Sequence, residues 1–233
     1  LNLQRNSIDN PLYTRKGSQF MFSVAATPPW SLWDGKDYKN MSDQDEAKFR
    51  MIEYHKWKFK AKIFSPLAPL TVKRTPVLMT RVEYGFLGSY NKYKKSPFET
   101  FYMGGDGMSG YSSTYATETI GLRGYENGSI AGNGGYNSYG YAYSRLSMEL
   151  RYPFLLEPSS TIYGLVFVEA GNAWRDLKDF NPFQLKRSAG VGVRIFLPMI
   201  GLMGIDWAYG FDRPDGYDQR GGSNFHFIIG QEF

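Results

Sequence analysis

Cysteine is absent from all 233 residues of the sequence. Its absence excludes disulfide frameworks, zinc–thiolate sites and cysteine nucleophiles, but it leaves the compartment open because proteins of oxidising spaces do not all carry cystines. Long apolar runs are also lacking, since the longest nearly apolar segment, residues 195–205, is interrupted by Pro198 and by glycines. A membrane-spanning helix needs about 20 apolar residues in a row. The sequence therefore predicts no such helix.

Histidine is scarce, and the chain is rich in aromatic residues and glycine instead. Its 18 Tyr, 17 Phe and 26 Gly favour strands and tight turns over helices. The 27 Lys and Arg against 22 Asp and Glu give a net charge of only +5. The two histidines, His55 and His226, have no evident Ser or Asp constellation attached to them, as a nucleophile and its base would require. We therefore predict that the protein is not an enzyme.

Apolar and polar residues alternate along many segments, which indicates strands. In residues 203–211, Ile205 and Trp207 fall on one face and Asp206 and Ala208 on the other. Because a barrel strand shows lipid only with every second residue, a chain that is polar on average can still cross a bilayer. Eight candidate strands lie near the roughly 9 to 11 residues that a tilted strand needs. They are residues 19–26, 56–63, 80–86, 145–152, 161–174, 190–197, 203–211 and 224–233.

The connections between these strands alternate in length. Short turns rich in Pro and Gly lie at one end, and long polar loops lie at the other, at residues 28–48, 88–140, 175–186 and 212–224. This asymmetry is typical of outer-membrane barrels. A soluble sandwich also alternates, but it seldom borders its apolar face with so many aromatic residues, the girdle expected at a membrane interface. We predict an all-β fold, a transmembrane antiparallel β-barrel.

The C-terminal segment FHFIIGQEF has the same alternation and ends on an aromatic residue. Its outward residues are Phe225, Phe227, Ile229 and Phe233. A barrel closes by pairing its last strand with its first, so the chain can end within the sheet at the membrane interface. Gly230 removes a side chain and loosens the ladder there. We expect residues 224–233 to form a weak seam.

The longest loop, residues 88–140, carries one charge between apolar neighbours. Its centre reads Leu122-Arg123-Gly124-Tyr125, among glycine-rich stretches that predict neither strand nor helix for residues 117–130. Here the chain resembles the BamA family of outer-membrane assembly factors, whose longest loop folds back into the barrel and carries a Val-Arg-Gly-Phe-like signature. The resemblance continues, in the family's order, through SMELRYP, FVEAGNAW, RSAGVGVRIFLP, GIDWAYGF and FHFIIGQEF.

The resemblance implies that acidic residues of neighbouring strands hold Arg123 in the lumen, and the matching positions here are Glu149 and Glu169. Both glutamates fall on faces that alternation assigns to the lumen. A guanidinium offers five donors in a rigid fork, so two carboxylates can set both the depth and the orientation of the loop. Without the resemblance, a solvated Arg123 in an ordinary surface loop is the simpler interpretation.

The size of this loop bears on the size of the barrel. Eight strands close into a barrel that its own side chains nearly fill, which leaves no room for the loop. We therefore expect residues 1–233 to form the C-terminal half of a barrel of about sixteen strands, the number that the family implies, with residues 1–5 at the end of a preceding strand. The family's periplasmic POTRA domains and first barrel strands are absent from this chain.

The resemblance implies a folding and insertion factor, without a cofactor, in the outer membrane of a Gram-negative bacterium. Its partners would be outer-membrane lipid, client β-barrel proteins, and accessory lipoproteins or surface proteins of an assembly complex. The alternative is a passive or substrate-selective pore, because the lysine-lined strand KWKFKAK could select anions. Upstream POTRA repeats would favour the assembly factor, whereas further strands alone would favour the pore.

Other patterns in the sequence are weaker. Gly105, Gly107 and Gly110 spell G-x-G-x-x-G, but no strand-to-helix unit follows, so dinucleotide binding is not predicted. Alternation explains KWKFKAK better than a nucleic-acid groove does, with its lysines toward water and its aromatic residues toward lipid. Asp212, Asp215 and Asp218 match no EF-hand spacing, and we predict no metal site.

Overall fold

The computed structural model describes residues 1–42, 45–107, 118–130, 139–157, 159–199 and 201–229. The strands in these ranges are β1 (Asn2–Asn6), β2 (Gly17–Ala26), β3 (His55–Pro66), β4 (Val77–Gly88), β5 (Phe101–Met103), β6 (Glu118–Ile120), β7 (Ala142–Glu157), β8 (Ser160–Trp174), β9 (Lys186–Leu197), β10 (Gly201–Gly210) and β11 (Gly222–Ile229). A short helix, α1 (Glu46–Phe49), and 3-10 turns at Trp30–Leu32 and Leu177–Asp179 lie in the loops. No helix within the described ranges is long and apolar enough to cross a membrane.

Among the described residues, nine strands form one antiparallel sheet in the order β1-β2-β3-β4-β7-β8-β9-β10-β11. The sheet contains the eight predicted strands as far as the described residues extend, the last of them to Ile229. It also contains β1, which pairs with β2 from Asn2↔Ser23 to Asn6↔Gln19. β4 pairs directly with β7, so the chain between them leaves the sheet. Within that excursion, β5 and β6 form a separate parallel pair. The prediction that residues 117–130 contain no strand was wrong, because β6 satisfies its backbone groups against β5 rather than in a hairpin.

The two faces of the sheet have the reverse of the polarity of a soluble protein. Apolar side chains are exposed on the outer face, among them Trp57, Met148, Leu150, Val166, Val168, Val191, Val193, Ile205 and Trp207. Charged side chains are buried on the inner face, among them Arg81, Glu83, Arg145, Glu149, Arg151, Glu169, Arg194 and Asp206. Exposed rows of apolar side chains are stable when they contact lipid. Buried charged side chains are stable when they are paired with opposite charges or hydrated. The prediction of a transmembrane antiparallel β-barrel is confirmed.

The inner face carries two apolar clusters, separated by an ionic layer. The cluster near the long loops combines loop side chains such as Phe101, Met103 and Leu122 with Leu87 and Tyr143 of the wall. The cluster near the short turns is formed by Tyr13, Phe64, Val77, Met79, Tyr163, Leu165, Phe167 and Ala208. The interior along this sheet is therefore packed, and the excursion between β4 and β7 fills part of it.

Candidate functional site

The excursion between β4 and β7, here called the interior loop (residues 89–141), enters the concave side of the sheet. Phe101 and Gly140 exchange backbone hydrogen bonds of 2.9 and 2.8 Å, which tie the loop to the start of β7. Gly105 and Leu122 form an isolated antiparallel bridge. Leu122, Arg123 and Tyr125 are fully buried. These pairings fix residues 122–125 as a tight turn in the interior.

Arg123 lies at the centre of an ionic cluster with side chains of the wall. Its Nη2 donates to Oε1 of Glu149 at 2.6 Å and to Oε1 of Glu169 at 2.8 Å. Its Nη1 donates to Oδ2 of Asp206 at 3.0 Å, and its backbone N–H donates to Oε2 of Glu169 at 3.0 Å. The guanidinium carbon lies 3.4 Å from the ring centre of Phe167, a cation–π contact. The Arg123 guanidinium thus anchors the loop twice, through hydrogen bonds from its edge and through the contact of its face with Phe167.

The glutamates that contact Arg123 also bind arginines of the barrel wall. Arg151 donates through Nε at 2.9 Å and through Nη2 at 2.7 Å to Oε2 of Glu149. Arg145 donates through Nη2 at 2.7 Å to Oε1 of Glu169. Each glutamate therefore bridges a wall arginine and the loop arginine, so its charge is compensated from both sides.

Asp206 on β10 is a partner of Arg123 that our sequence reasoning did not include. It also accepts from Arg194, from Nη1 at 2.6 Å and from Nη2 at 2.8 Å. Burial alone would lower the pKa of the Arg123 guanidinium, but Glu169, Glu149 and Asp206 raise that pKa above its ordinary value. Alternation already placed Asp206 on the inner face. An inward carboxylate within GIDWAYGF was the signal that could have identified it.

Gly124 and Tyr125 bring the interior loop against the last strands. The Gly124 N–H donates to Nε2 of His226 on β11 at 2.9 Å, and the Tyr125 hydroxyl donates to the carbonyl of Arg187 at 2.6 Å. Gly124 has a φ of +86°, which lies in the left-handed region. A Cβ on Gly124 would lie 2.9 Å from the backbone nitrogen of Gly210. Position 124 therefore needs glycine both for its backbone angle and for the close approach to β10.

The described part of the terminal strand, β11, has apolar side chains on its outer face and one side chain that contacts the interior loop on its inner face. Phe225, Phe227 and Ile229 are 68%, 58% and 65% exposed on the outer face, whereas His226 is buried against the loop. β11 pairs with β10 from Met203↔Ile229 to Gly210↔Gly222. Gly230 and Phe233, which we assigned to the seam, lie outside the described residues.

We expect His226→Phe to release the Gly124 amide, because phenylalanine offers no acceptor. Losing one such hydrogen bond costs about 1 kcal/mol, which corresponds to roughly fivefold faster local opening. Hydrogen–deuterium exchange of a peptide covering residues 118–130 measures this opening. His226→Gln, which keeps an acceptor oxygen, is the matched control and should exchange at nearly the wild-type rate. Equal exchange in the wild type and His226→Phe would contradict the assigned hydrogen bond.

A second ionic contact holds the interior loop on β3. Glu118 lies 3.1, 3.0 and 3.8 Å from the ammonium nitrogens of Lys56, Lys58 and Lys60. Lys56 also pairs with Glu99 at 3.1 Å. Lys56, Lys58 and Lys60 of KWKFKAK thus face the interior and contact the loop. The sequence analysis did not identify Glu118, because the strand that Glu118 contacts depends on the path of the interior loop, which the sequence does not show.

Other polar residues singled out in the sequence pair locally. Asp212 accepts from Arg187 through Nε at 3.0 Å and through Nη2 at 2.9 Å, and Asp215 accepts from Lys186 at 2.8 Å. In the part of the chain that the structure describes, no group of three or more His, Asp or Glu side chains could hold a metal ion. His55 accepts from the indole N–H of Trp57 at 3.0 Å. These contacts are those of ordinary turns and strand ends.

The lipid-facing outer rows and the interior loop anchored by Arg123 define this chain as part of a transmembrane β-barrel that keeps a loop in its lumen. The Omp85 superfamily domain matches residues 1–233, and the chain belongs to that superfamily. Among solved structures, it is similar to the crystal structure of BamA from Haemophilus ducreyi lacking POTRA domains 1–3, with a TM-score of 0.64 and 19% identity. That likeness covers 97% of this chain and 41% of the other. No curated protein sequence matches the chain.

Proposed function

We propose that this chain is the C-terminal part of an outer-membrane protein assembly factor, which folds client β-barrels at a lateral seam by templating on its last strand. The observation that carries the proposal is the position of β11. It is an edge of the described sheet, its outer row is apolar, and its inner face contacts the interior loop through His226. An edge strand at membrane depth has N–H and C=O groups that only another strand can satisfy.

The proposed mechanism exchanges one strand pairing for another. β11 forms a seam with the first strand of the complete barrel, and a weak seam can open without unfolding the rest of the wall. When the seam opens, a client strand adds to β11 by β-augmentation. Each unsatisfied backbone group in lipid costs several kcal/mol, so an incoming strand is strongly favoured at an open edge. The process needs no covalent step and no cofactor.

The contacts of the interior loop support a mobile last strand beside a fixed wall. Arg123 binds β7, β8 and β10 through charge-assisted hydrogen bonds to Glu149, Glu169 and Asp206. The loop contacts β11 through the neutral hydrogen bond from Gly124 to His226. Charge-assisted hydrogen bonds are roughly twice as strong as neutral ones. In this proposal β11 moves while the ionic cluster keeps the remaining wall in place.

Membership of the Omp85 superfamily and the likeness to BamA support a location in the outer membrane of a Gram-negative bacterium. In this setting the exposed outer rows contact outer-membrane lipid, and the long loops other than the interior loop face the exterior. The proposed partners are unfolded client β-barrels, with accessory lipoproteins or surface proteins of an assembly complex. POTRA domains upstream of residue 1 would receive clients from the periplasm.

Cysteine crosslinking between β11 and a client tests the templating step. With Phe225→Cys or Phe227→Cys in the complete protein and a cysteine in the terminal strand of a client, we expect a disulfide to form during assembly. A disulfide requires Cα atoms within about 7 Å, a distance that paired strands meet.

The matched control for this crosslink is Val191→Cys on β9. Val191 also faces outward but lies two strands away from the edge, about 10 Å beyond the expected pairing position. Crosslinks confined to β11 would support the templating mechanism. Equal yields at residues 191 and 225, or no yield above background at either, would contradict it.

A further inference from the structure

A cleft of about 890 Å³ lies between three loops at the end of the sheet where β2, β4 and β8 finish. Its walls come from the β2–β3 loop, from both ends of the interior loop and from the start of the β8–β9 loop. Tyr38, Lys95, Tyr141 and Arg175 are examples from these segments. Sites for small molecules have volumes of about 300–1,000 Å³. We call this space the loop cleft.

A buried polar cluster fixes one wall of the loop cleft. Tyr38 lines the cleft, and its hydroxyl accepts from the ammonium of Lys94 at 3.4 Å and donates to Asp34. Lys94 is 2% exposed and lies 4.0 Å from the carboxylate of Glu53. Glu53 in turn accepts from the backbone N–H of Ser31 at 2.7 Å. The wall is therefore pre-organised, which lowers the cost of ordering the site around a ligand.

The loop cleft is strongly positive. Among the described residues that line it, the acidic one is Asp176, and the cationic ones are Lys39, Lys48, Lys92, Lys95 and Arg175. Asp176 forms an ion pair with Lys95. A concave surface with an excess of one charge focuses its field and attracts ligands of the opposite charge. The cleft therefore favours an anionic ligand.

Aromatic rings accompany the charges of the loop cleft. The ammonium nitrogen of Lys92 lies 4.8 Å from the ring centre of Tyr93, and the guanidinium carbon of Arg175 lies 5.6 Å from that of Tyr139. Such cation–π contacts orient a cation without neutralising its charge. Tyr93 is 39% exposed, so it also offers apolar surface to a ligand. A ligand that matches the cleft combines negative charge with an apolar face.

We propose that the loop cleft binds a phosphorylated sugar of the outer-leaflet glycolipid that surrounds the barrel. The phosphate would accept charge-assisted hydrogen bonds from Lys92 and Arg175, and the C–H face of a sugar ring would pack on the tyrosines. Because the glycolipid shares the membrane with the barrel, its effective concentration is high and a weak site is sufficient.

This inference rests on the proposed orientation, in which the long loops other than the interior loop face the exterior, and it goes beyond the templating activity. In the described part of the chain, neither the Arg123 cluster nor β11 lines the loop cleft. Loss of sugar binding should therefore leave client assembly intact. A failure of either proposal can be recognised separately from a failure of the other.

Titration calorimetry of the complete protein in detergent micelles tests the proposal. The probe is the phosphorylated oligosaccharide obtained from lipopolysaccharide by removal of its acyl chains. We expect Lys92→Gln combined with Arg175→Gln to weaken binding about tenfold, because two charge-assisted hydrogen bonds to phosphate are lost. Lys36→Gln combined with Lys178→Gln is the matched control, since it removes the same charge from exposed loop positions outside the cleft. The control should bind like the wild type.

Three further probes identify what the cleft recognises: the dephosphorylated oligosaccharide, inorganic phosphate and a hexaglutamate peptide. Each should bind the wild type about tenfold more weakly than the phosphorylated oligosaccharide, or weaker still. Equal weakening by the two double variants would reduce the effect to overall charge and overturn the proposal. Binding of any of the three probes as tight as that of the phosphorylated oligosaccharide would also overturn it. The comparison of probes uses only the wild type, so it decides the matter even if a variant does not fold.

Discussion

Replacing Arg123 with alanine is expected to destabilise the barrel by about 3–5 kcal/mol, because removal of one partner of a buried ion pair leaves the other charges uncompensated. In wild type, Arg123 donates to Glu149, Glu169 and Asp206. Without it, the wall arginines compensate each carboxylate only in part. Semi-native electrophoresis measures the temperature at which a folded barrel loses its fast-migrating band, here called the band temperature. That temperature should fall by about 10 °C.

Arg123→Lys separates the charge of the side chain from its shape. Lysine keeps the positive charge but carries it as a compact ammonium, without the planar fork that reaches several carboxylates at once. It also loses the flat contact with Phe167. We therefore expect a fall in band temperature intermediate between those of the wild type and Arg123→Ala.

Arg220→Ala is the control for the Arg123 variants, because Arg220 is exposed in the loop between β10 and β11. Surface substitutions of this kind usually change stability by less than about 0.5 kcal/mol. Equal band temperatures for Arg123→Ala and Arg220→Ala would mean that the ionic cluster does not stabilise the barrel.

Alanine at position 124 is expected to cost about 3 kcal/mol, from the left-handed backbone penalty together with overpacking. The Cβ would lie 2.9 Å from the backbone nitrogen of Gly210 and 3.0 Å from the carbonyl carbon of Tyr209. Backbone atoms of a paired strand cannot move aside without breaking the ladder. The turn at residues 122–125 would have to move away from β10, and Arg123 would lose its hydrogen bonds to the carboxylates of the wall. Faster hydrogen–deuterium exchange in residues 118–130 and a lower band temperature should follow.

Gly35→Ala isolates the backbone contribution to this effect. Gly35 has a φ of +63°, and a Cβ there would meet no heavy atom within 4 Å among the described residues. Its substitution carries the left-handed penalty alone, about 1 kcal/mol. If Gly124→Ala were no more damaging than Gly35→Ala, the close packing of the loop against β10 would not matter for stability.

Most of the sheet could be predicted from alternation, because a barrel wall exposes every second side chain to lipid. Ile205 and Trp207 face outward and Asp206 faces inward, as the pattern of that segment predicts. The pattern was weakest in β8, where Tyr163 and Leu165 are apolar and yet inward. The structure gives the reason, since both residues join the apolar cluster near the short turns. Alternation fails where the interior itself is packed with apolar side chains.

The site was less accessible to sequence reasoning. Alternation could place Glu149, Glu169 and Asp206 on the inner face, but it could not show which of them lie at the same depth. Depth depends on the register between strands, such as Glu149↔Phe167 and Asp206↔Gly192. The contact of Glu118 with Lys56, Lys58 and Lys60 depends on the path of the interior loop, for which the sequence has no periodic signal. The resemblance supplied the role of Arg123, and the register supplied Asp206 and His226.

The most direct test of the central claim is client folding in lipid vesicles that contain the complete protein. We expect wild type and Arg220→Ala to speed conversion of an unfolded client β-barrel to its heat-modifiable form, compared with empty vesicles. Arg123→Ala should give little or no acceleration. If Arg123→Ala accelerates the client as well as wild type does, or if wild type does no better than empty vesicles, the account of an assembly factor built around an anchored interior loop is contradicted.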